Sequence, residues 1–208
     1  MKVFDLSHTI APGMTVYPGT EAPQILDTCT VQQDGFAEKK IILHSHNGTH
    51  IDAPAHIFEN REHLDDLNID HFCGRAFCLA VSTPVVDCAF LQPMIRDLQD
   101  VDFVLLNTGW SKFWGEDSYL RGYPILSENA AKLLCGCGLK GVGFDTLSAD
   151  RENSRELPIH RILLDKMIIV ENLNSLGLLP EPQLFFSCLP LKIAKADGSP
   201  VRAVGIYP

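Results

Sequence analysis

The sequence predicts an α/β fold built around buried strands, and three observations carry that expectation. Four short apolar blocks, "AFCLAVS" (76–82), "DFVLLNT" (102–108), "GVGFDT" (141–146) and "KMIIVEN" (166–172), have the length and composition of strands covered on both faces. Helical patterns are fewer and short. The carboxyl end, "LPLKIAKADGSPVRAVGIYP", reads as an antiparallel β-hairpin whose two runs flank Asp197-Gly198, a dipeptide suited to a turn with φ > 0. A mixed buried sheet, an antiparallel portion and a small helical layer follow.

Near the start, Tyr17-Pro18-Gly19 suits a type II turn, with Pro at the first central position and Gly at the second. "KKIILHSH" (39–46) should be extended and deliver His46 at its end. In "QPMIRDLQD", Pro93 sits near a helix start, where its missing N–H costs little. "LSENAAKLLCGCG" offers Ser127 as N-cap, a periodic Ala/Leu face and glycines to stop it. No repeat, low-complexity tract or linker divides the chain, so one domain over 1–208 is expected.

Composition narrows the function. A net charge of −9 argues against a nucleic-acid or anionic-membrane surface and leaves small molecules or a second copy of the chain as partners. The seven cysteines include no Cys-x-x-Cys pair and several lie in apolar runs, so reduced thiols are expected. "MKVFDLSHTI" lacks the apolar core of a signal peptide, and no run approaches the ~18 apolar residues of a membrane span. A cytoplasmic protein is the expectation.

Four of the eight histidines fall within thirteen residues, "HSHNGTHIDAPAH" (44–56), where an even scatter would place roughly 0.5. Gly48 permits a sharp turn and Pro54 disfavours helix at Ala53, so the path is looped or extended. Along an extended piece His50 and Asp52 point the same way. A bend at Gly48 would therefore aim His46, His50 and Asp52 at one point. Two imidazoles and a carboxylate leave a position open for water, as catalytic rather than structural zinc does. Manganese or iron suits the same donors. His56, four residues after Asp52, could ligate a second ion or shuttle protons. His44 reads as an ordinary strand residue, and His8 could line the site.

The run His46-Asn47-Gly48-Thr49-His50-Ile51-Asp52-Ala53-Pro54-Ala55-His56 resembles the motif of the cyclase-like metal-dependent hydrolases, which include bacterial kynurenine formamidases and isatin hydrolases. "DLSHTIAPGMTVYPG" is similar to that family's opening, "LLNTGW" to its central strand and "PLKIAKADGSPVRAVGIYP" to its close. The resemblance implies a three-layer β/β/α swivelling-domain fold, and a homodimer or homotetramer. It also implies two further ligands, His160 in "LPIHRILL" and Glu171 in "IIVENLNSL". In two-metal members Asp52 and Glu171 would lie between the ions, with His160 on the second.

The implied activity is metal-dependent hydrolysis of a carbon–nitrogen amide bond in a small molecule, arylformamidase-like, through metal-activated water. One or two ions are expected, zinc first and manganese as the alternative, with His56 as the catalytic proton carrier. Tyr17 is the substrate-facing candidate. The formamidases of the family carry Trp-Pro-Gly-Asp where this chain has Tyr-Pro-Gly-Thr, so a hydrolase of another small cyclic amide or lactone, isatin hydrolase-like, is the alternative. Phe58, Trp110 and Trp114 could add aromatic walls. A non-catalytic metal-binding protein is the third reading. It fits less well because closed structural zinc sites are rich in cysteine and the motif has none.

Overall fold

The computed structural model describes residues 1–208. Its strands, in chain order, are β1 (Lys2–Asp5), β2 (Gln24–Cys29), β3 (Glu38–Ile42), β4 (His50–Asp52), β5 (Cys73–Ala80), β6 (Val85–Val86), β7 (Phe103–Asn107), β8 (Ile125–Leu126), β9 (Gly141–Phe144), β10 (Ile168–Glu171), β11 (Gln183–Ser187), β12 (Gly198–Pro200) and β13 (Val204–Tyr207). The helices are α1 (Val31–Asp34), α2 (Cys88–Leu91), α3 (Ile95–Gln99), α4 (Glu128–Cys135) and α5 (Pro158–Leu164).

Nine strands form one mixed sheet in the order β1-β13-β11-β5-β7-β9-β10-β4-β12. The four apolar blocks form its parallel centre, β5-β7-β9-β10. Side chains alternate between faces, and the two cores follow from that period. On β7, Phe103 and Leu105 enter one core with Ile51, Val170, Leu184 and Phe186. Val104 and Leu106 enter the other, with Leu134 of α4 and Leu163 of α5. The helical layer therefore covers one face only. α4 begins as read, with the Ser127 side chain accepting from Ala130 N–H. A 3₁₀ turn containing Pro93 leads into α3.

The carboxyl end corrects the hairpin expectation. Its first run, residues 189–196, forms no strand and pairs with the second only at the isolated antiparallel bridge Pro190–Val201, while the second run splits into β12, paired with β4, and β13, paired with β1 and β11 at the other end of the sheet order. Only residues 201–203 join them, and such a link spans at most about 14 Å. The sheet must curl until its two ends nearly meet, folding its halves over the Ile51–Phe186 core as two β layers with the helices outside. Gly198 opens β12 instead of making a turn.

"KKIILHSH" is extended as expected only over its first half. Its strand, β3, stops at Ile42 and pairs only with β2 in a separate ribbon, where Leu26, Ile41 and Ile42 stay exposed. His44 is exposed and His46 lies in the turn beyond. All seven cysteines are unpaired. No helix is long and apolar enough to cross a membrane.

Candidate metal centre

The motif takes the path its Gly and Pro dictate. Gly48 adopts φ +69, a left-handed conformation in which a side chain would be strained. Ala53 is extended, and Pro54 opens a 3₁₀ turn ending at His56. Asn172, just past β10, staples the bend: its side-chain amide donates to Gly48 C=O at 3.1 Å, and its own carbonyl accepts from Thr49 Oγ1 at 2.6 Å.

β4 then pairs with β10 so that Asp52 lies opposite Ile169 and His50 opposite Glu171. Because paired residues share a face, His50, Asp52 and Glu171 all point to the helix side of the sheet, while Ile51 and Val170 point into the other core. α5 brings His160 onto the same side. The structure thus gathers His46, His50, Asp52, His160 and Glu171. His46 Nδ1 lies 2.7 Å and His50 Nε2 3.3 Å from Asp52 Oδ1. His160 Nε2 lies 3.7 Å from Asp52 Oδ2 and 3.2 Å from Glu171 Oε1. His50 Nε2 is 3.6 Å from Glu171 Oε2.

Three features fit this set to a divalent metal. First, the groups form two triads that share Asp52, namely His46/His50/Asp52 and Asp52/His160/Glu171, with donor atoms of each within 4.8 Å of one another. Second, Asp52 is 1% exposed and its Oδ2 has no hydrogen-bond partner, an orphaned carboxylate oxygen that a cation would satisfy. Third, each imidazole has its far nitrogen held by an oxygen: His46 Nε2 by Asp197 at 2.9 Å, His50 Nδ1 by Gly48 C=O at 2.9 Å, and His160 Nδ1 by Asp150 at 2.7 Å. Such partners fix ring orientation and tautomer so that the near nitrogen is free to bind. Three imidazoles and two carboxylates with no thiolate suit zinc, manganese or iron. One ion in either triad, or two sharing Asp52, fits the arrangement.

The charges show what a metal would replace. Burial pulls His46 down, but the Asp52 and Asp197 carboxylates outweigh it and lift its pKa to about 10. Burial likewise opposes, and Glu171, Asp150 and Asp52 overcome it, at His160, also lifted to about 10. Burial pushes Asp52 up, yet the His50 and His46 imidazoles hold its carboxyl well below the usual carboxylate range. In the metal-free protein His46 and His160 are cations standing in for the ion. Their stabilisation is fully present below the unfolded value of ~6.5 and is lost as pH rises through about 10. Chelator-stripped protein should therefore melt progressively lower between pH 6.5 and 10. Stabilisation by added zinc should grow as the pH is raised from 6 to 8, because binding displaces those protons. Thermal melts with and without metal check both slopes.

His56 lies outside both Asp52-centred triads. Its ring is 4.1 Å from that of His46 and 6.0 Å from that of His160, centroid to centroid, and its Nδ1 is 3.5 Å from Asp197 Oδ2. Burial lowers its pKa, favouring the neutral form that can accept a proton. His56 lines a cavity of about 290 Å³ together with His46, His50, Asp52, His160 and Glu171. Tyr17 lines it too, on a turn closed by Thr20 N–H donating to Tyr17 C=O at 2.9 Å, with Gly19 at φ +93. The remaining wall carries Thr15, Thr20, Ser148 and Ser154 hydroxyls beside Leu147 and Leu157.

The other aromatic candidates do not reach it. Phe58 packs against the helix-side core, Trp110 against the Tyr119/Tyr123 cluster, and Trp114 stacks on His8 at 3.9 Å. His8 is buried there and does not line the cavity.

Asp150, Asp197 and Gly198 are the residues sequence reasoning missed. Asp197-Gly198 carries a turn signal, but the glycine serves close approach instead: a Cβ on Gly198 would stand 2.5 Å from His46 Cε1. Gly198→Ala should push His46 off Asp52 at a cost of about 1–3 kcal/mol. A lower Tm together with weaker zinc binding is the expected outcome.

The Cyclase family model ("Putative cyclase") matches residues 4–151. The kynurenine formamidase of Salinibacter ruber is 32% identical, covering 98% of this chain and 97% of its own length. The structure of a predicted metal-dependent hydrolase from Bacillus stearothermophilus superposes with a TM-score of 0.81 at 28% identity, over 98% of this chain and 97% of that one. An isatin hydrolase bound to the product analogue thioisatinate shares the fold, with a TM-score of 0.90 at 21% identity over 100% of this chain and 92% of that one. The family match runs through the whole histidine cluster, and 32% identity extends along nearly the full length, so the chain belongs to the Cyclase family.

Proposed function

We propose that the protein is a metal-dependent hydrolase that cleaves a carbon–nitrogen amide bond of a small molecule, with an N-formyl arylamine as the first substrate class. The carrying observation is the five-group cluster around Asp52 on the wall of a cavity that also presents His56. The similarity to kynurenine formamidases along nearly the whole chain supports the arylformamidase-like reading.

His46, His50, Asp52, His160 and Glu171 would hold one or two divalent ions, zinc before manganese. A bound ion there supplies Lewis acidity, bringing the pKa of water toward ~7 and polarising a carbonyl. His56 acts outside the ligand set. It accepts the proton of the attacking water and returns it to the leaving amine nitrogen, and Asp197 faces its Nδ1 at 3.5 Å. Tyr17 closes one wall against a planar substrate, and the four hydroxyls offer hydrogen bonds to its polar groups. A cavity of about 290 Å³ suits a single-ring molecule.

A cyclic amide such as isatin is the second reading, favoured by the phenolic Tyr17 in that wall. The test compares hydrolysis of N-formylkynurenine and of isatin by zinc-reconstituted and chelator-stripped protein. Zinc-dependent turnover of the formyl substrate is the expected result. Turnover of isatin alone would move the assignment to cyclic amides. Retained zinc with turnover of neither would sink both substrate assignments and move the test to other cyclic amides and lactones, and retained zinc with hydrolysis of none of these would overturn the hydrolase reading in favour of a non-catalytic metal-binding protein.

A further inference from the structure

Helix α5 begins without a cap of its own. The residue before it, Leu157, has no side-chain acceptor and adopts φ 48, ψ 54, a left-handed conformation that β-carbon sterics disfavour. The first N–H groups of a helix need acceptors. Here they come from Asp150, nine and ten residues back: Ile159 N–H donates to Oδ1 at 2.9 Å and His160 N–H to Oδ2 at 3.0 Å. The same Oδ2 also accepts from His160 Nδ1 at 2.7 Å. One carboxylate thus sets where the helix starts and how the ring of His160 is turned.

Asp150 is itself held. It is 2% exposed, its carbonyl accepts from Tyr123 Oη at 2.8 Å, and its N–H donates to Ser148 Oγ at 3.3 Å. The preceding residue, Ala149, donates its N–H to Glu171 Oε1 at 2.7 Å. Two consecutive residues of the buried segment 145–150 therefore grip the two groups that meet Asp52 from this side, His160 and Glu171. An imidazole whose Nδ1 is the donor presents the Nε2 lone pair, and His160 Nε2 faces Glu171 and Asp52.

We propose that Asp150 is the positioning residue for the His160/Glu171 half of the centre, coupling the start of α5 to the ring nitrogen that His160 offers a metal. The proposal rests on the reading that His160 holds metal. In Asp150→Asn the amide oxygen can still accept from Ile159 N–H. Its NH₂ would then face both His160 N–H and His160 Nδ1 as a donor, favouring the Nε2–H form that cannot ligate, whereas the flipped amide would keep His160 and turn its NH₂ on Ile159 N–H, undoing the helix start instead.

The test is equilibrium dialysis of the full chain against graded free zinc, with metal analysis, for the wild type, Asp150→Asn, His160→Ala and Ser127→Ala. Ser127→Ala removes the α4 cap and controls for lost stability alone. Asp150→Asn should bind the ion of that half about 10- to 100-fold more weakly. His160→Ala should lose that ion, and Ser127→Ala should bind like the wild type despite a lower Tm. Wild-type binding by Asp150→Asn while His160→Ala fails would overturn the role of Asp150 and leave the metal reading intact. Wild-type binding by His160→Ala would remove the metal reading at His160 and the inference with it. Weakened binding by Ser127→Ala would reduce the Asp150 effect to stability and overturn the proposal. Should Asp150→Asn fail to fold, long-range ¹⁵N–¹H correlation on zinc-loaded wild type decides: His160 protonated at Nδ1 supports the proposal, and His160 protonated at Nε2 overturns it.

Discussion

Asp52→Ala is expected to lose bound zinc and to hydrolyse its amide substrate at least about 10³-fold more slowly than the wild type. Asp52 is the one group common to both triads, and its two oxygens face His46 and His50 on one side and His160 on the other. Lewis-acid activation by a bound ion is worth several kcal/mol, and each ~1.4 kcal/mol is a factor of ten in rate. The lost carboxylate also leaves buried imidazoles without the charge that holds His46 protonated in the metal-free protein. Asp52→Asn keeps the shape and should fail nearly as completely, because an amide neither neutralises the cluster nor bridges two cations. Metal analysis beside initial rates checks both variants.

His56→Gln is expected to behave differently, keeping its zinc while kcat falls by about 10²- to 10⁴-fold, the usual contribution of a positioned proton carrier. His56 contributes to neither Asp52-centred triad, so metal content should stay at the wild-type value. KM should change little, since the cavity wall is otherwise intact. A parallel loss of zinc would make His56 a ligand instead, in the remaining grouping with His46 and Asp197.

Much of this centre is legible in the sequence because its first half is local. His46, His50 and Asp52 lie within seven residues, and the Gly48 bend and strand alternation suffice to converge them. The parallel centre of the sheet is equally legible, since strands buried on both faces leave uninterrupted apolar blocks. His160 and Glu171 are not reachable by spacing: α5 and β10 bring them in across more than a hundred residues, and only the family resemblance points to them. Asp150 and Asp197 carry no signal of these roles, which depend on what packs opposite. Asp150 looks like a loop carboxylate until α5 is set on it. Asp197-Gly198 has the chemistry of a hairpin turn, and tertiary structure overrides that local preference: Gly198 starts β12 against β4, and the runs on either side of the dipeptide pair only at the Pro190–Val201 bridge. The strand β3 forms where its apolar run predicts, although no second layer covers that ribbon in the chain itself.

Everything proposed for this centre requires that these five side chains hold metal. Crystals grown with zinc, with diffraction recorded on both sides of the zinc absorption edge, test it most directly. The expected result is an anomalous peak bounded by His46 Nδ1, His50 Nε2 and Asp52, with a second, if present, bounded by Asp52, His160 Nε2 and Glu171. Zinc found only elsewhere on the protein, with the five side chains still paired to one another, would contradict it.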